Sequence, residues 1–190
     1  MRSFEIEEGD VWAENFFSRQ WSGLSGITLE NNFQWRFRLD MSGCPDGTTI
    51  KLCGASVASP FRFERVKKDG LGQILSFTHE DSDRIIATKT SDEISLQTYV
   101  YRNGSGPSTD GSNDSKRIVS VENREPFSVG MDLEDDKTRY SISKKSGTWS
   151  RVHERSVDLP FLKHKTFAHA KGYKQPSAPG LIKIEVLSHV

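Results

Sequence analysis

The stretch from Asn32 to Met41 constrains the fold more than any other part of the chain. Its side chains alternate between apolar and polar types, and the apolar positions are Phe33, Trp35, Phe37 and Leu39. A period of two residues is that of a β-strand with one face in the core and the other in water. The aromatic face of this strand must therefore be covered by other parts of the chain.

Segments of the same kind recur at intervals of roughly ten residues, and clusters of Gly, Asn, Asp and Ser separate them. No segment shows sustained helical periodicity, although Trp12 to Trp21 is either a short helix or an aromatic-anchored loop. We predict further strands near residues 4–6, 48–53, 61–66, 73–79, 84–88, 93–102, 118–122, 126–133, 138–144, 148–154, 167–175 and 181–190. Many short strands predict an all-β sandwich or barrel.

Length and composition agree with this interpretation. A chain of 190 residues is expected to form one domain, spanning residues 1–190. Its apolar fraction of 34% is low, which suits sheets with one face in water. Residues 103–115 are rich in Gly, Ser, Asn and Asp and contain no anchoring apolar side chain, so we expect a mobile loop there.

Charge and hydropathy limit the partners. Lys+Arg and Asp+Glu number 26 each, so the basic excess of a general nucleic-acid binder is missing. No apolar run approaches the roughly 18 residues of a membrane-spanning helix. Residues 1–10 are acidic and lack the apolar core of a signal peptide. We therefore expect no membrane partner, and a cytoplasmic protein unless a leader has been removed, in which case a secreted one.

Cys44 and Cys53 are the only cysteines in the sequence. In an oxidising compartment they could form a disulfide, and in the cytosol they would stay reduced. Their spacing does not match a zinc site, which needs about four ligands. Acidic pairs such as Asp81 and Asp83 lack the further oxygen ligands of a calcium site. We predict no metal and no cofactor.

The polar face of the 32–41 strand carries Arg36, Arg38 and Asp40. One interpretation is a solvated face with a cross-strand ion pair. The other is a groove in which the guanidinium groups bind a carboxylate, for which their geometry is well suited.

A second polar row lies near the C-terminus, where period two places His169, Lys171, Tyr173 and Gln175 on one face. Two potential cations, a phenol and an amide are suited to a polar or anionic ligand. Tyr173 is the best general acid–base candidate, because a neighbouring cation can lower the pKa of a phenol. Alternatively, Tyr173 closes one end of the sandwich with its hydroxyl in water.

The segment 73–79 is ambiguous, because either of its faces could be core. Gln73, Leu75 and Phe77 share one face, so a groove that contains Gln73 would be partly apolar. The sequence has no serine nucleophile elbow and no phosphate-binding glycine loop.

The segment Phe167–Gln175 resembles the Tyr-Phe-Lys-Ala-Gly-x-Tyr-x-Gln signature of the alginate lyases of polysaccharide lyase family 7. Gln73-Ile74-Leu75 is similar to the Gln-Ile-His motif of that family, and Arg36–Asp40 to its Arg-x-Glu-Leu-Arg strand. The resemblance implies a concanavalin-like β-jelly roll of two antiparallel sheets with a concave groove.

The resemblance also implies β-elimination on a uronate. Tyr173 would be base and acid, Arg36 and Gln73 would neutralise the carboxylate, and His169 would assist. The substrate-binding set would be completed by Arg38, Leu75, Phe77, Lys171 and Gln175. Leu75 stands where the motif has histidine, and a leucine cannot transfer a proton.

Three functions follow as hypotheses. The first is a lyase-like enzyme acting on an anionic or polyhydroxylated carbohydrate. The second is an isomerase or cyclase that acts on an intracellular small molecule in a pocket made apolar by Leu75 and Phe77. The third is a non-catalytic carbohydrate-binding module, in which Trp149 or Tyr101 stacks on a sugar ring.

Overall fold

The structure, a computed structural model, describes residues 2–8, 32–56, 63–65, 75–77, 82–101, 116–154, 166–167 and 179–189. Within these ranges there is no helix, and hence none that could span a membrane. The strands in chain order are β1 Arg2–Ile6, β2 Asn32–Asp40, β3 Thr49–Ser56, β4 Phe63–Arg65, β5 Leu75–Phe77, β6 Ser82–Thr90, β7 Glu93–Tyr101, β8 Arg117–Glu122, β9 Phe127–Leu133, β10 Lys137–Lys144, β11 Gly147–Glu154, β12 Thr166–Phe167 and β13 Ile182–His189.

Two antiparallel sheets form the sandwich. The six-stranded sheet has the order β1-β13-β2-β9-β10-β11, and the five-stranded sheet has the order β12-β3-β6-β7-β8. Strands that are distant in sequence are neighbours in both sheets, as in a jelly roll. The prediction of an all-β jelly-roll sandwich is confirmed. β4 and β5 pair with each other in a separate two-stranded sheet.

The core lies between the inner faces of the two sheets. Trp35, Phe37 and Leu39 of β2 are each 1% exposed, as their alternation predicts. The Phe37 ring lies 6.0 Å from that of Phe127 on the adjacent β9. The five-stranded sheet contributes Ile50, Ile85, Ala87, Ile94 and Leu96 to the same cluster. Burial of each large apolar side chain stabilises the fold by about 1.5–3 kcal/mol.

A polar contact between described residues joins the two sheets inside this core. Thr138 of β10 donates a hydrogen bond from its hydroxyl to a carboxylate oxygen of Asp83 on β6, and both residues are fully buried. A buried carboxylate is tolerated only where hydrogen bonds replace water. This contact therefore stabilises one arrangement of the two sheets against each other.

The predicted strands agree with the observed ones, and the differences lie at the ends. β6 begins at Ser82 and ends at Thr90, two residues beyond the predicted 84–88 on each side. Its polar ends carry no apolar pattern, but β7 pairs with both ends and β3 pairs with the first of them. The predictions for residues 12–21, 103–115 and 168–175 fall outside the described residues.

Both cysteines are free thiols. Cys44 lies in the turn after β2 and is 5% exposed, whereas Cys53 lies on β3 and is 2% exposed. Burial raises the pKa of the Cys44 thiol, and it raises the pKa of the Cys53 thiol well above its usual range. Each sulfur is therefore held as the unreactive thiol.

The two thiols are expected to resist modification in the folded protein. Thiol reagents attack the thiolate, which burial disfavours at both sites. Titration with a chromogenic disulfide at mildly alkaline pH should give slow reaction in the native state and two fast equivalents in denaturant. Two fast equivalents without denaturant would contradict the buried positions.

Replacement of Thr138 by valine is expected to destabilise the protein by about 1–3 kcal/mol, because it removes a hydrogen-bond donor from a buried carboxylate. Urea unfolding would measure the loss. Thr148→Val is the matched control, because Thr148 lies on the adjacent strand β11 and is exposed. Equal stabilities of the two variants would contradict a structural role for the Asp83–Thr138 contact.

Candidate functional site

The outer face of the five-stranded sheet carries a group of polar side chains around the central strand β6. Ile85 and Ala87 enter the core, so the alternation turns Arg84 and Ile86 to the outer face. Arg84 is in register with Tyr99 of β7, and Ile86 with Gln97 of β7 and Lys51 of β3. We call Lys51, Arg84, Gln97 and Tyr99 the β6 cluster.

Lys51 and Tyr99 meet across β6. The Lys51 ammonium nitrogen lies 5.4 Å from the centroid of the Tyr99 ring. Such a cation–π contact contributes about 0.5–1 kcal/mol where it is exposed, and more where it is shielded from water. Because β3 and β7 flank β6, this contact also shows that the two side chains lie on the same face.

Arg84 owes its position to a glycine on the neighbouring strand. A Cβ atom at Gly54 would lie 2.7 Å from the Arg84 Cγ and 2.3 Å from the Asp83 carbonyl oxygen. Only glycine leaves room for the arginine side chain at this point. Arg84 is 2% exposed, so its positive charge is held at a fixed place in the face.

The described part of the lyase-like signature adjoins this cluster. Phe167 pairs with Gly54, which in turn pairs with Arg84, and Arg84 pairs with Tyr99. Positions 167, 54, 84 and 99 therefore form one line across the five-stranded sheet. The remaining predicted residues of the row, His169, Lys171, Tyr173 and Gln175, lie outside the described residues, as does Gln73. Leu75 and Phe77 belong to β5, of which the structure describes the backbone.

The two arginines of β2 lie on the other side of the sandwich, on the outer face of the six-stranded sheet. Arg38 forms an ion pair of 2.7 Å with Glu185, its register partner on β13. Arg38 thus forms the cross-strand ion pair of the first interpretation. Arg36 is exposed and forms no hydrogen bond or ion pair with any described residue. The predicted groove that would contain both Arg36 and Tyr173 stays a prediction.

Arg36 lines an open hollow of about 850 Å³ on this outer face. The lining also includes Arg124, Glu125, Ser128, Ser143, Lys144 and Lys145. These residues come from β9, from β10 and from the turns at the ends of those strands. We call it the Arg36 hollow.

One wall of the Arg36 hollow is anchored by Asp40. The Asp40 carboxylate accepts hydrogen bonds from Asn123, Ser42 and Arg124. Partial burial alone would raise the pKa of Asp40, but the hydrogen bonds from Asn123, Ser42 and Arg124 together lower it well below its usual value. Arg124 has a φ of 66°, an unfavourable backbone conformation for this residue type, and the Asp40 contacts hold it there.

Sequence reasoning missed the β6 cluster. Glu93–Tyr101 alternates Ser95, Gln97, Tyr99 and Tyr101 with apolar or threonine positions, which is the same signal that identified β2. The position of Arg84 within a strand was missed because it precedes the apolar run Ile85–Ala87, and a charged residue at such a place is usually interpreted as the end of a strand. No group of three or more potential metal ligands occurs among the described residues.

Comparisons with known proteins show the fold alone. No protein-family model matches the sequence, and no curated protein matches it significantly, so the lyase resemblance stays a prediction. A Saccharomyces cerevisiae protein described as functionally unknown matches 99% of this chain and 86% of its own, with a TM-score of 0.53 and 17% identity. This chain shares its fold.

Two further solved structures are similar at lower scores. An alginate lyase from Klebsiella pneumoniae matches 84% of this chain and 58% of its own, with a TM-score of 0.46 and 8% identity. Sheep galectin-11, solved with glycerol, matches 87% of this chain and 92% of its own, with a TM-score of 0.40 and 10% identity.

The Asp40 network makes an acid-sensitive contribution to stability. Because folding lowers this pKa, the contribution is complete above the unfolded value of about 3.9 and is lost as pH falls through the depressed folded value. Asp40→Asn is expected to be less stable than the native protein by about 2 kcal/mol near neutral pH. The gap should narrow progressively below about pH 4. Urea unfolding over this pH range would measure it, and a gap independent of pH would contradict the role of the charge.

Proposed function

We propose that this chain acts on an acidic saccharide at the outer face of the five-stranded sheet, as a lyase-like enzyme. The observation that carries the proposal is the line of positions 167, 54, 84 and 99. It joins the β6 cluster to the segment that resembles the lyase signature. Two cations, an amide and a phenol on one face suit a ligand that has both carboxylate and hydroxyl groups.

The proposed reaction is a β-elimination. The partly exposed Lys51 pairs with the uronate carboxylate, and the buried positive charge of Arg84 adds to the field at this place, so that the adjacent proton at C5 becomes more acidic. Tyr173, as a phenolate, takes that proton, and the C4–oxygen bond to the departing sugar breaks. A double bond forms between C4 and C5, and the departing oxygen gains a proton from Tyr173.

This assignment changes the cation that binds the carboxylate from the one that the resemblance implied. Lys51 and Arg84 take the place of Arg36 as the cations at the carboxylate, because they lie in the sheet that β12 joins. His169 is proposed as the assisting residue, since Leu75 stands at the motif histidine. Gln97 is added to Gln73 and Gln175 as an amide for the sugar hydroxyls. Lys171, Leu75 and Phe77 remain proposed contacts of the substrate.

A non-catalytic carbohydrate-binding module is the second candidate. The observation in its favour is that the described residues of this outer face include the Lys51–Tyr99 pair but no histidine. Such a face would bind an acidic sugar without proton transfer.

The tyrosines separate the two candidates. Incubation with uronate polymers should give the ultraviolet absorbance of an unsaturated product, and Tyr173→Phe is expected to lower that rate at least about 100-fold, because a general acid–base group is removed. Tyr99→Phe is the matched control. It keeps the ring under Lys51 and removes only one hydrogen-bonding group for the ligand, so it should lower the rate by less than about tenfold.

The binding module is favoured instead if uronate oligomers bind to the native protein but neither the native protein nor its variants form product. A rate that falls with Tyr99→Phe and not with Tyr173→Phe would move the acid–base role to β7 and contradict the assignment of Tyr173.

A further inference from the structure

The Arg36 hollow is lined by two serines, Ser128 and Ser143, which belong to a longer row of hydroxyl side chains. Arg36 is in register with Ser188 of β13 and with Ser128 of β9. Ser128 pairs with Ser143 of β10, which pairs with Thr148 of β11. A guanidinium followed by three hydroxyl groups thus crosses four adjacent strands on the outer face of the six-stranded sheet. No described bulky side chain interrupts this row.

The charge of the lining is positive although the chain as a whole is neutral. Four cations line the hollow, Arg36, Arg124, Lys144 and Lys145, against the two carboxylates Glu122 and Glu125. Lys144 is paired with Glu125 at 3.1 Å, and Arg124 with Asp40 at 2.7 Å. Arg36 and Lys145 form no hydrogen bond or ion pair with any described residue. These two cations can therefore bind an external anion.

Arg38, on the same strand, is an arginine with a structural partner and can be compared with Arg36. It lies two residues from Arg36 on the same face, and Glu185 stands directly opposite at 2.7 Å. At the corresponding place beside Arg36 the neighbouring strands present Ser188 and Ser128, which carry no charge. Arg36 is thus placed among neutral hydroxyl groups rather than beside a carboxylate.

We propose that the Arg36 hollow is a second, non-catalytic anion-binding surface for the acidic groups of a saccharide chain. A guanidinium binds a carboxylate or a sulfate with two parallel hydrogen bonds, and serine hydroxyls can both donate to and accept from sugar hydroxyls. The choice of a saccharide as ligand rests on the proposed function, whereas the anion site rests on Arg36 and its neighbours.

A nucleic acid fits this surface less well. Single-stranded nucleic acids need aromatic side chains on which bases stack. The one aromatic residue among the described lining, Phe127, is 1% exposed and belongs to the core. The charge excess and the row of hydroxyl side chains together favour a polyhydroxylated polyanion.

The pair Arg36→Gln and Arg38→Gln tests the site. Titration calorimetry at low ionic strength, in the Tyr173→Phe background to prevent turnover, would use a uronate oligosaccharide and a sulfated oligosaccharide of equal length. Arg36→Gln should lower the affinity of the oligosaccharide for the Arg36 hollow about tenfold, as expected for the loss of a charge-assisted bidentate contact. Arg38→Gln should change affinity by less than about twofold, since its exposed ion pair contributes little.

A steric block gives an independent readout. Ser128→Trp places a bulky side chain in the Arg36 hollow and should abolish binding of the oligosaccharide there. Ser3→Trp places the same side chain on β1, on the outer face of the same sheet but outside the hollow, and should leave binding unchanged. Circular dichroism and thermal unfolding would confirm that both variants fold.

The outcomes separate this inference from the proposed function. In one outcome, no product forms from uronates, but Arg36→Gln weakens oligosaccharide binding and Arg38→Gln does not. Anion binding at the Arg36 hollow is then supported, and the lyase proposal fails. If product forms but the two arginine variants bind alike, the hollow is overturned and the lyase proposal stands. Binding of a DNA oligonucleotide with the same dependence on Arg36 would overturn the choice of a saccharide.

Discussion

The contact between the inner faces of the two sheets determines where every functional group of this protein can lie. Once Trp35, Phe37 and Leu39 on one side and Ile85 and Ala87 on the other are buried, the alternation of a strand leaves no choice for their neighbours. Arg36 and Arg38 must face outward from the six-stranded sheet, and Arg84 must face outward from the five-stranded sheet. The positions of the charges are thus a consequence of apolar packing.

The same alternation explains how much of the fold the sequence could predict. Where one face is core and the other is water, as in β2 and β9, local pattern defines the strand almost to its ends. β6 is different, because residues 83–87 are all buried. A strand buried on both faces has no clean alternation, so Arg84 and Ile86 could not be assigned to a face from sequence. Pairing with β3 and β7 provides that assignment.

The candidate site could be predicted only in part, because its parts come together through pairings between distant segments. Residue 167 meets residue 54, and residue 54 meets residue 84, through antiparallel pairings that no local pattern encodes. Motif matching predicts one groove for Arg36 and Tyr173, and this stays a prediction because Tyr173 lies outside the described residues. In a jelly roll consecutive strands need not share a sheet, and here β2 and β3 lie in different ones. Gly54 leaves space for Arg84, but a glycine has no side chain whose chemistry could indicate this role from sequence.

Two cationic surfaces on opposite sides of one sandwich can act independently. Packed sheets are about 10 Å apart, and side chains on the two outer faces are separated by more than that. At physiological ionic strength the Debye length is about 8 Å, so charges on the two faces are largely screened from each other through solvent. An anion bound at Arg36 should therefore change the protonation of groups near Arg84 very little. The neutral net charge of the chain does not argue against either surface, because a ligand responds to the local excess of charge and not to the sum over the molecule.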